Sequence, residues 1–211
     1  MKPLCSFRRS GFTLLELLVV ISMIAVIASF TMPGLTTFLK AKQVSMGSQM
    51  LLSNLSLARQ TALASNRKVE VRFYRYADPN LPGSGRAFRA LQLFQYDEAN
   101  QSTKPLGKLQ RLPGTLVMDE NATYSTLIAD ASRNKIWSSA GDPRLALPGI
   151  GNHYDACYFC FRPDGSTDLS RLGAWFLTVH GETDTWPAPA KNYATLQVDP
   201  INGIAKIHRP D

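Results

Sequence analysis

The 211-residue chain has only three histidines and three cysteines, and this shortage excludes most kinds of catalytic and zinc-binding site. The histidines lie far apart in the sequence, and there is only one C-x-x-C pair, whereas a structural zinc site needs four such ligands. The chain also has no G-x-S-x-G, H-E-x-x-H or G-x-x-x-x-G-K-[ST] motif. The sequence therefore predicts that the protein is not an enzyme and holds neither a metal nor a cofactor.

Positive charge is missing between Arg9 and Lys40, where the chain is almost wholly apolar from residue 12 to residue 32. As a helix, these 21 residues would span about 31 Å, which matches the hydrocarbon core of a bilayer. The basic residues before the run predict a cytoplasmic N-terminus and an exported C-terminal domain. An ordinary secretory signal is shorter and ends in a small-x-small cleavage site, so we expect this helix to remain as an anchor.

One carboxylate, that of Glu16, lies inside the apolar run. A carboxylate in a membrane-spanning helix costs about 2.5–3.5 kcal/mol on insertion scales, so it needs a partner. Cleavage between Gly11 and Phe12 would create a free amine four residues before Glu16. That amine, on the same chain or on a neighbouring subunit, would neutralise the carboxylate.

The set formed by Gly11, Phe12, Glu16, the apolar run and Pro33 resembles the N-terminus of type IV pilins and type II secretion pseudopilins. This resemblance implies that a prepilin peptidase cuts after Gly11 and that Phe12 is N-methylated. It also implies that Glu16 pairs with the N-terminus of the adjacent subunit during assembly, and that Pro33 kinks the helix. The alternative is a plain signal anchor with a chance glutamate.

Residues 34–66 are predicted to continue the helix, with two apolar stripes on opposite sides. The first stripe comprises Leu35, Leu39, Met46, Met50 and Leu57, and the second comprises Val44, Leu51, Leu55, Ala58 and Ala62. The second stripe fits burial on a sheet, and the first fits contact with helices of other subunits. A helix buried on both sides within one domain is the alternative that the pattern leaves open.

After residue 66 the apolar period changes to two, which is typical of strands with one solvated face. We predict strands at 69–74, 87–96, 157–162, 174–180 and, joined by the Asn202-Gly203 turn, at 193–198 and 204–208. Residues 119–156 show no readable pattern of strands. The predicted fold class is α+β, with a long N-terminal helix, membrane-spanning in its first half, packed on a small antiparallel β-sheet.

This order of elements predicts four segments along the chain. Residues 1–11 form a prepilin leader peptide and residues 12–33 a transmembrane and assembly helix. Residues 34–66 are the amphipathic continuation of that helix, and residues 67–211 form a globular antiparallel β domain.

The resemblance extends beyond the N-terminus. Residues 57–71 are similar to the helix-to-strand junction of minor pilins and pseudopilins of the H/FimT type, and residues 161–166 are similar to their late glycine turn. Together with residues 88–94 and 107–113, they are most similar to the pilin-like Verru_Chthon cassette protein D family. These likenesses cover most of the chain and imply a pilin-like fold.

The resemblance implies a structural and assembly role, as a minor pilin or pseudopilin of a type IV pilus or of a type II secretion-like filament. The implied partners are the prepilin peptidase, other pilin or pseudopilin subunits and the inner membrane. The chain would cross the inner (cytoplasmic) membrane once, with its C-terminal domain in the periplasm or in an extracytoplasmic filament.

A DNA-binding minor pilin for DNA uptake is the alternative function. Lys206, His208 and Arg209 lie on or after the last predicted strand and are the candidate DNA contacts. Without the leader, however, the chain has 20 basic and 16 acidic residues, a net charge of only +4. A solvated surface of mixed charge is therefore favoured over a nucleic-acid interface.

Cys157 and Cys160 leave two interpretations open. In an exported domain a disulfide is the favoured state of a cysteine pair. Side chains three residues apart on a strand point to opposite faces, however, so a disulfide would require a local turn. Without that turn, the two thiols would be small apolar residues that fill space in the domain.

Overall fold

The computed structural model describes residues 12–81, 83–129, 137–138, 146–183 and 192–209, with the backbone alone given for 30–36 and 137–138. The chain divides into two compact units, Met1–Leu39 and Lys40–Asp211. The predicted leader, residues 1–11, lies outside the described residues. The two units are described separately below.

Helix α1, Leu14–Ser65, provides the helical part of both units. It ends where the sequence predicts, because Asn66 takes a left-handed conformation with φ of 52°. Asparagine tolerates this conformation better than most residues, and it is a common way to end a helix. The chain then turns directly into the first strand of the sheet.

The rest of the C-terminal unit is mainly β-structure. Its strands are β1 Val69–Tyr76, β2 Ala87–Asp97, β3 Ser102–Pro105, β4 Gln110–Arg111, β5 Leu116–Met118, β6 Trp137–Ser138, β7 Asp155–Phe161, β8 Trp175–Gly181, β9 Tyr193–Val198 and β10 Ala205–His208. A short helix, α2 Thr126–Ala129, lies between β5 and β6. The predicted α+β class, a helix on an antiparallel sheet, is confirmed.

The described strands form one antiparallel sheet in the order β10-β9-β8-β5-β2-β1-β7-β6, with β3 and β4 paired to β2. Strand β2 pairs antiparallel with β1, with Val69 opposite Gln95 and Phe73 opposite Leu91. The register shifts by a β-bulge between Tyr74 and Arg75. The predicted pairing of the last two strands is also confirmed, with Ala205 opposite Val198.

The second predicted stripe of α1 packs on this sheet, and its five residues are each at most 2% exposed. They share one apolar core with side chains of β1, β2, β7, β8 and β9. Burying a large apolar side chain contributes about 1.5–3 kcal/mol, so this stripe fixes α1 on the sheet within the C-terminal unit. Gly47 allows a close approach, because a Cβ there would lie 2.6 Å from Leu116 Cδ1.

Side-chain hydrogen bonds join the start of α2 to β8. Helix α2 lies within residues 119–156, where the sequence shows no pattern of strands. The amide of Thr178 donates to Ser125 Oγ over 2.9 Å, and the amide of Phe176 donates to Thr126 Oγ1 over 3.0 Å. Strand β5 pairs with only the last three residues of β8. The two hydroxyls therefore supply acceptors for β8 amides beyond the end of β5, so that these polar groups are not left unpaired.

Of the two interpretations left open for Cys157 and Cys160, the structure has no disulfide, and both are free thiols. They lie on the regular strand β7, with Cys157 opposite Phe73 and Cys160 opposite Glu70, and no turn brings them together. Burial raises the pKa of Cys157 to about 12, and burial also raises the pKa of Cys160. The alternative prediction, two thiols that act as small apolar residues, agrees with this geometry.

Candidate assembly surface

The N-terminus of α1 carries a helix cap that brings Glu16 into the first turn. The amide of Glu16 donates to Thr13 Oγ1 over 3.2 Å, and the amide of Leu17 donates to the carbonyl of Thr13 over 3.2 Å. Our sequence analysis missed Thr13, although threonine followed three residues later by glutamate is a known signature of a helix start. The cap fixes where the helix begins, at Leu14.

The Glu16 side chain is exposed at this capped end. Among the described residues no salt bridge involves Glu16. The positive end of the helix dipole favours a negative charge in the first turn. The carboxylate thus lies exposed at the start of the helix, where the helix dipole favours its negative charge.

The other predicted residues of the N-terminal unit are placed as follows. Gly11 lies outside the described residues, and Phe12 is 77% exposed just before the helix. Pro33 lies within the helical backbone of α1. The cleavage, the methylation and the kink stay predictions.

Residues 12–29, which we call the N-terminal apolar segment, expose large apolar side chains in every direction around α1. The exposed residues are Phe12, Leu14, Leu15, Leu17, Leu18, Val19, Val20, Ile21, Met23, Ile24, Val26 and Ile27, each 43–85% exposed. A helix that is apolar all round is normally buried in a core or in a membrane. The segment thus needs a covering that the described part of its own unit does not supply.

Among the described residues, no helix meets the length and apolarity required of a membrane span.

The two serines of the N-terminal apolar segment satisfy their hydroxyl groups within the helix. Ser22 Oγ donates to the carbonyl of Val19 over 2.8 Å, and Ser29 Oγ donates to the carbonyl of Val26 over 2.7 Å. Such bonds remove the need for a water partner and are compatible with an apolar environment. Glu16 is therefore the one charged side chain of this segment and the group that most needs an external partner.

The C-terminal unit presents a second surface, the outer helix face of α1, on the side away from the sheet. It comprises Met46, Gln49, Ser53, Leu57, Gln60 and Ala64, all of them exposed. From Met46 to Ala64 none of these residues is charged, although the exposed Lys42 lies one turn before Met46 on the same side. The solvated face of a surface helix normally carries more charged and strongly polar residues. Met46 is 46% and Leu57 is 53% exposed.

The first predicted stripe therefore lies largely on the outside of the C-terminal unit. Met46 and Leu57 are exposed, and Met50 packs partly against the core. Leu39 is exposed in the N-terminal unit, and the side chain of Leu35 lies outside the described residues. The alternative in which both stripes are buried within one domain is wrong for the described residues.

The C-terminal basic residues Lys206, His208 and Arg209 are exposed. Lys206 and His208 lie on β10, and Arg209 Nη2 donates to Ser48 Oγ over 3.2 Å. Three other basic residues form ion pairs: Arg72 with Glu70 at 2.8 Å, Arg86 with Asp155 at 2.9 Å, and the buried Arg89 with Glu182. The structure thus neutralises much of the charge on which DNA binding would depend.

Comparison with known proteins gives one family match, at the N-terminus. Residues 6–32 match the family described as the prokaryotic N-terminal methylation motif. The match includes Gly11, Phe12 and Glu16, and it agrees with the methylation motif predicted at these residues. The resemblance to the Verru_Chthon cassette protein D family stays a prediction. A search of curated proteins found no significant match.

Two solved structures are similar to the chain at low identity. The minor pseudopilin EpsH from the type 2 secretion system of Vibrio cholerae is 12% identical, with a TM-score of 0.43, over 80% of this chain and 98% of that chain. The type IV minor pilin FimU of Pseudomonas aeruginosa is 11% identical, with a TM-score of 0.43, over 82% of this chain and 92% of that chain. At these values neither likeness assigns a function.

Proposed function

We propose that the chain is a minor pilin or pseudopilin, a structural subunit of a type IV pilus or of a type II secretion-like filament. The observation that carries this proposal is a single exposed carboxylate, that of Glu16, at the capped start of a wholly apolar helical segment. The methylation motif over residues 6–32 supports it, because the motif covers the same residues.

In this proposal a prepilin peptidase cuts between Gly11 and Phe12 and methylates the new N-terminus at Phe12. Cleavage removes the leader and leaves the amine two residues before the first residue of α1, Leu14. The new amine then carries a positive charge close to the carboxylate of Glu16. Processing therefore creates the cation that the apolar segment lacks.

Before assembly, the N-terminal apolar segment holds the subunit in the inner membrane. Its exposed apolar side chains and its internally bonded serines suit a hydrocarbon environment. The arginines before it favour a cytoplasmic N-terminus, so the C-terminal unit lies in the periplasm or in the extracytoplasmic filament. The membrane thus provides the covering that the segment requires until a filament replaces it.

Assembly then proceeds through the pairing of Glu16 with the Phe12 amine of a neighbouring subunit. Attraction between two charges is stronger in a low-dielectric medium than in water, and an unpaired carboxylate there is costly. The electrostatic attraction of this pair therefore stabilises one axial register between neighbouring helices. The uncharged outer helix face supplies further contact with neighbours in the C-terminal unit.

The test replaces Glu16 by alanine in the native chromosome and measures the protein in membranes and in sheared filaments. The proposal expects processing to be unchanged, because the peptidase site is intact, and incorporation into filaments to be lost. Glu98→Ala, which removes an exposed carboxylate from the β2–β3 turn, is the matched control and should assemble normally. Filaments that contain the Glu16 variant at the wild-type level would refute the role of this carboxylate.

A further inference from the structure

Strand β10 forms one end of the sheet. In the part of the chain that the structure describes, β9 is the only strand that pairs with it. An unpaired strand edge is a template for the addition of another extended chain. The charge and shape around this edge indicate what kind of chain it would accept.

The hydrogen-bond pattern shows which backbone groups of β10 point outward. The amide of Asp199 donates to the carbonyl of Ile204, so this opposed pair belongs to the hydrogen-bonded type. Hydrogen-bonded and non-hydrogen-bonded pairs alternate along antiparallel strands. Lys206 and His208 therefore face β9 with their backbone groups, and Ala205 and Ile207 direct their N–H and C=O groups away from it.

The charge at this edge is positive. Lys206, His208 and Arg209 are exposed, and no salt bridge to Lys206 or Arg209 occurs within the described residues. Asp199 is nearby, but its two oxygens accept bonds from the Ile201 amide and from Asn202 Nδ2. Two copies of this edge would bring like charges together, so self-pairing is disfavoured and an acidic segment is favoured.

A cavity of about 260 Å³ lies at the start of β10. Gly173, Trp175, Gln197, Ile204 and Lys206 are among the residues that line it. A cavity of about 150 Å³ can hold benzene, so this volume is large enough for one large side chain. Its lining offers apolar contacts at Trp175, Val198 and Ile204, beside the polar Gln197, Asp199, Asn202 and Lys206.

Exposed apolar residues include one that lines this cavity and two that are next to lining residues in the sequence. Leu172 and Ile201 neighbour lining residues in the sequence and are 100% and 61% exposed, and Ile204 itself is 46% exposed. Exposed apolar side chains grouped around a cavity are typical of a protein interaction site. The cavity therefore provides a place for a side chain of a segment that lies along β10.

We propose that the free edge of β10 binds an extended acidic segment of another protein by strand addition. The segment forms backbone hydrogen bonds with Ala205 and Ile207, its carboxylates lie beside Lys206 and Arg209, and one large apolar side chain enters the cavity beside Trp175. This is a recognised mode of peptide recognition, in which the backbone supplies affinity and the pocket supplies selectivity.

The test selects ligands from random 12-residue peptides displayed on phage, with the full-length protein in detergent micelles as the target. The selected peptides should be acidic and contain a large apolar residue. Their binding should slow hydrogen exchange at the amides of Ala205 and Ile207. The amides of Lys206 and His208, which already face β9, should change little.

Two variants of one residue separate backbone pairing from other causes. Ala205→Pro removes an outward N–H without removing a bond to β9, and proline is tolerated at such edge positions. It should weaken binding about tenfold, the value expected for one lost hydrogen bond. Ala205→Val keeps the N–H and is the matched control, and Lys206→Glu should weaken binding through charge alone.

Three results would overturn the proposal. One is that no peptide is enriched, and another is that enriched peptides lack acidic residues or bind Ala205→Pro as tightly as the wild type. The third is that duplex DNA binds at this edge, is unaffected by Ala205→Pro, and displaces every selected peptide. That outcome would assign Lys206 and Arg209 to phosphate contacts instead.

Discussion

Gly203 packs against the backbone of Gly165, and both residues have positive φ angles, of 67° and 82°. A Cβ atom on Gly203 would overlap the carbonyl oxygen of Gly165 and lie 3.0 Å from the Phe161 ring. Arg59 Nε of α1 donates to the carbonyl of Asn202 over 2.6 Å, in the same turn as Gly203. Two tight turns are therefore held against each other and against α1 within the C-terminal unit.

Gly203→Ala should destabilise the protein by about 2–5 kcal/mol. A left-handed conformation costs a non-glycine residue about 1–2 kcal/mol, and forcing extra atoms into a packed site costs about 1–3 kcal/mol. Gly85→Ala is the control, since nothing lies within 4 Å of a Cβ there and its φ is not positive. Urea denaturation in detergent would measure both, and equal stabilities of the two variants would contradict the close contact.

Leu55 and Leu57 provide a matched pair on one helix, because they are 1% and 53% exposed. Leu55→Ala should lower the free energy of unfolding by about 2–5 kcal/mol, since it leaves a cavity in the core. Leu57→Ala should change it by less than about 0.5 kcal/mol but should reduce incorporation into filaments. If Leu57→Ala destabilised the isolated protein as much as Leu55→Ala, the outer helix face would belong to the core.

The thiols of Cys157 and Cys160 should remain reduced and react slowly in the folded protein. Burial raises the pKa of Cys157 to about 12 and also raises the pKa of Cys160, so little thiolate exists at pH 8. Alkylation by iodoacetamide at pH 8 should be slow in the native state and fast in denaturant. Mass spectrometry would count the alkylated cysteines, and an intact disulfide would appear as two unreactive cysteines even in denaturant.

The inner face of α1 could be predicted from sequence because apolar burial repeats with the helical period. Leu51, Leu55, Ala58 and Ala62 belong to the second predicted stripe, and all four are buried. Strands β1 and β2 could be predicted because their apolar residues alternate. The solvated second face expected from this alternation is wrong here, since Tyr74, Tyr76 and Ala90 are buried there in a second apolar cluster. Local chemistry also determined the end of the helix at Asn66, where φ is positive.

Contacts between distant residues could not be predicted in this way. Ser125 and Thr126 bond to β8 over about fifty residues of sequence, and hydroxyl groups leave no periodic signal. The sequence also does not show which basic residues form ion pairs, as Arg86 does with Asp155 and Arg89 with Glu182. The cap at Thr13, in contrast, has a local sequence signature, since a glutamate follows the threonine three residues later.

The most direct test of the proposed function is the intact mass of the protein purified from its native membrane. The account predicts a chain that begins at Phe12 and carries one additional methyl group at its N-terminus. Such a chain has the free amine that Glu16 requires as a partner. A chain that still begins at Met1 would contradict the account, because the charge on which assembly depends would never form.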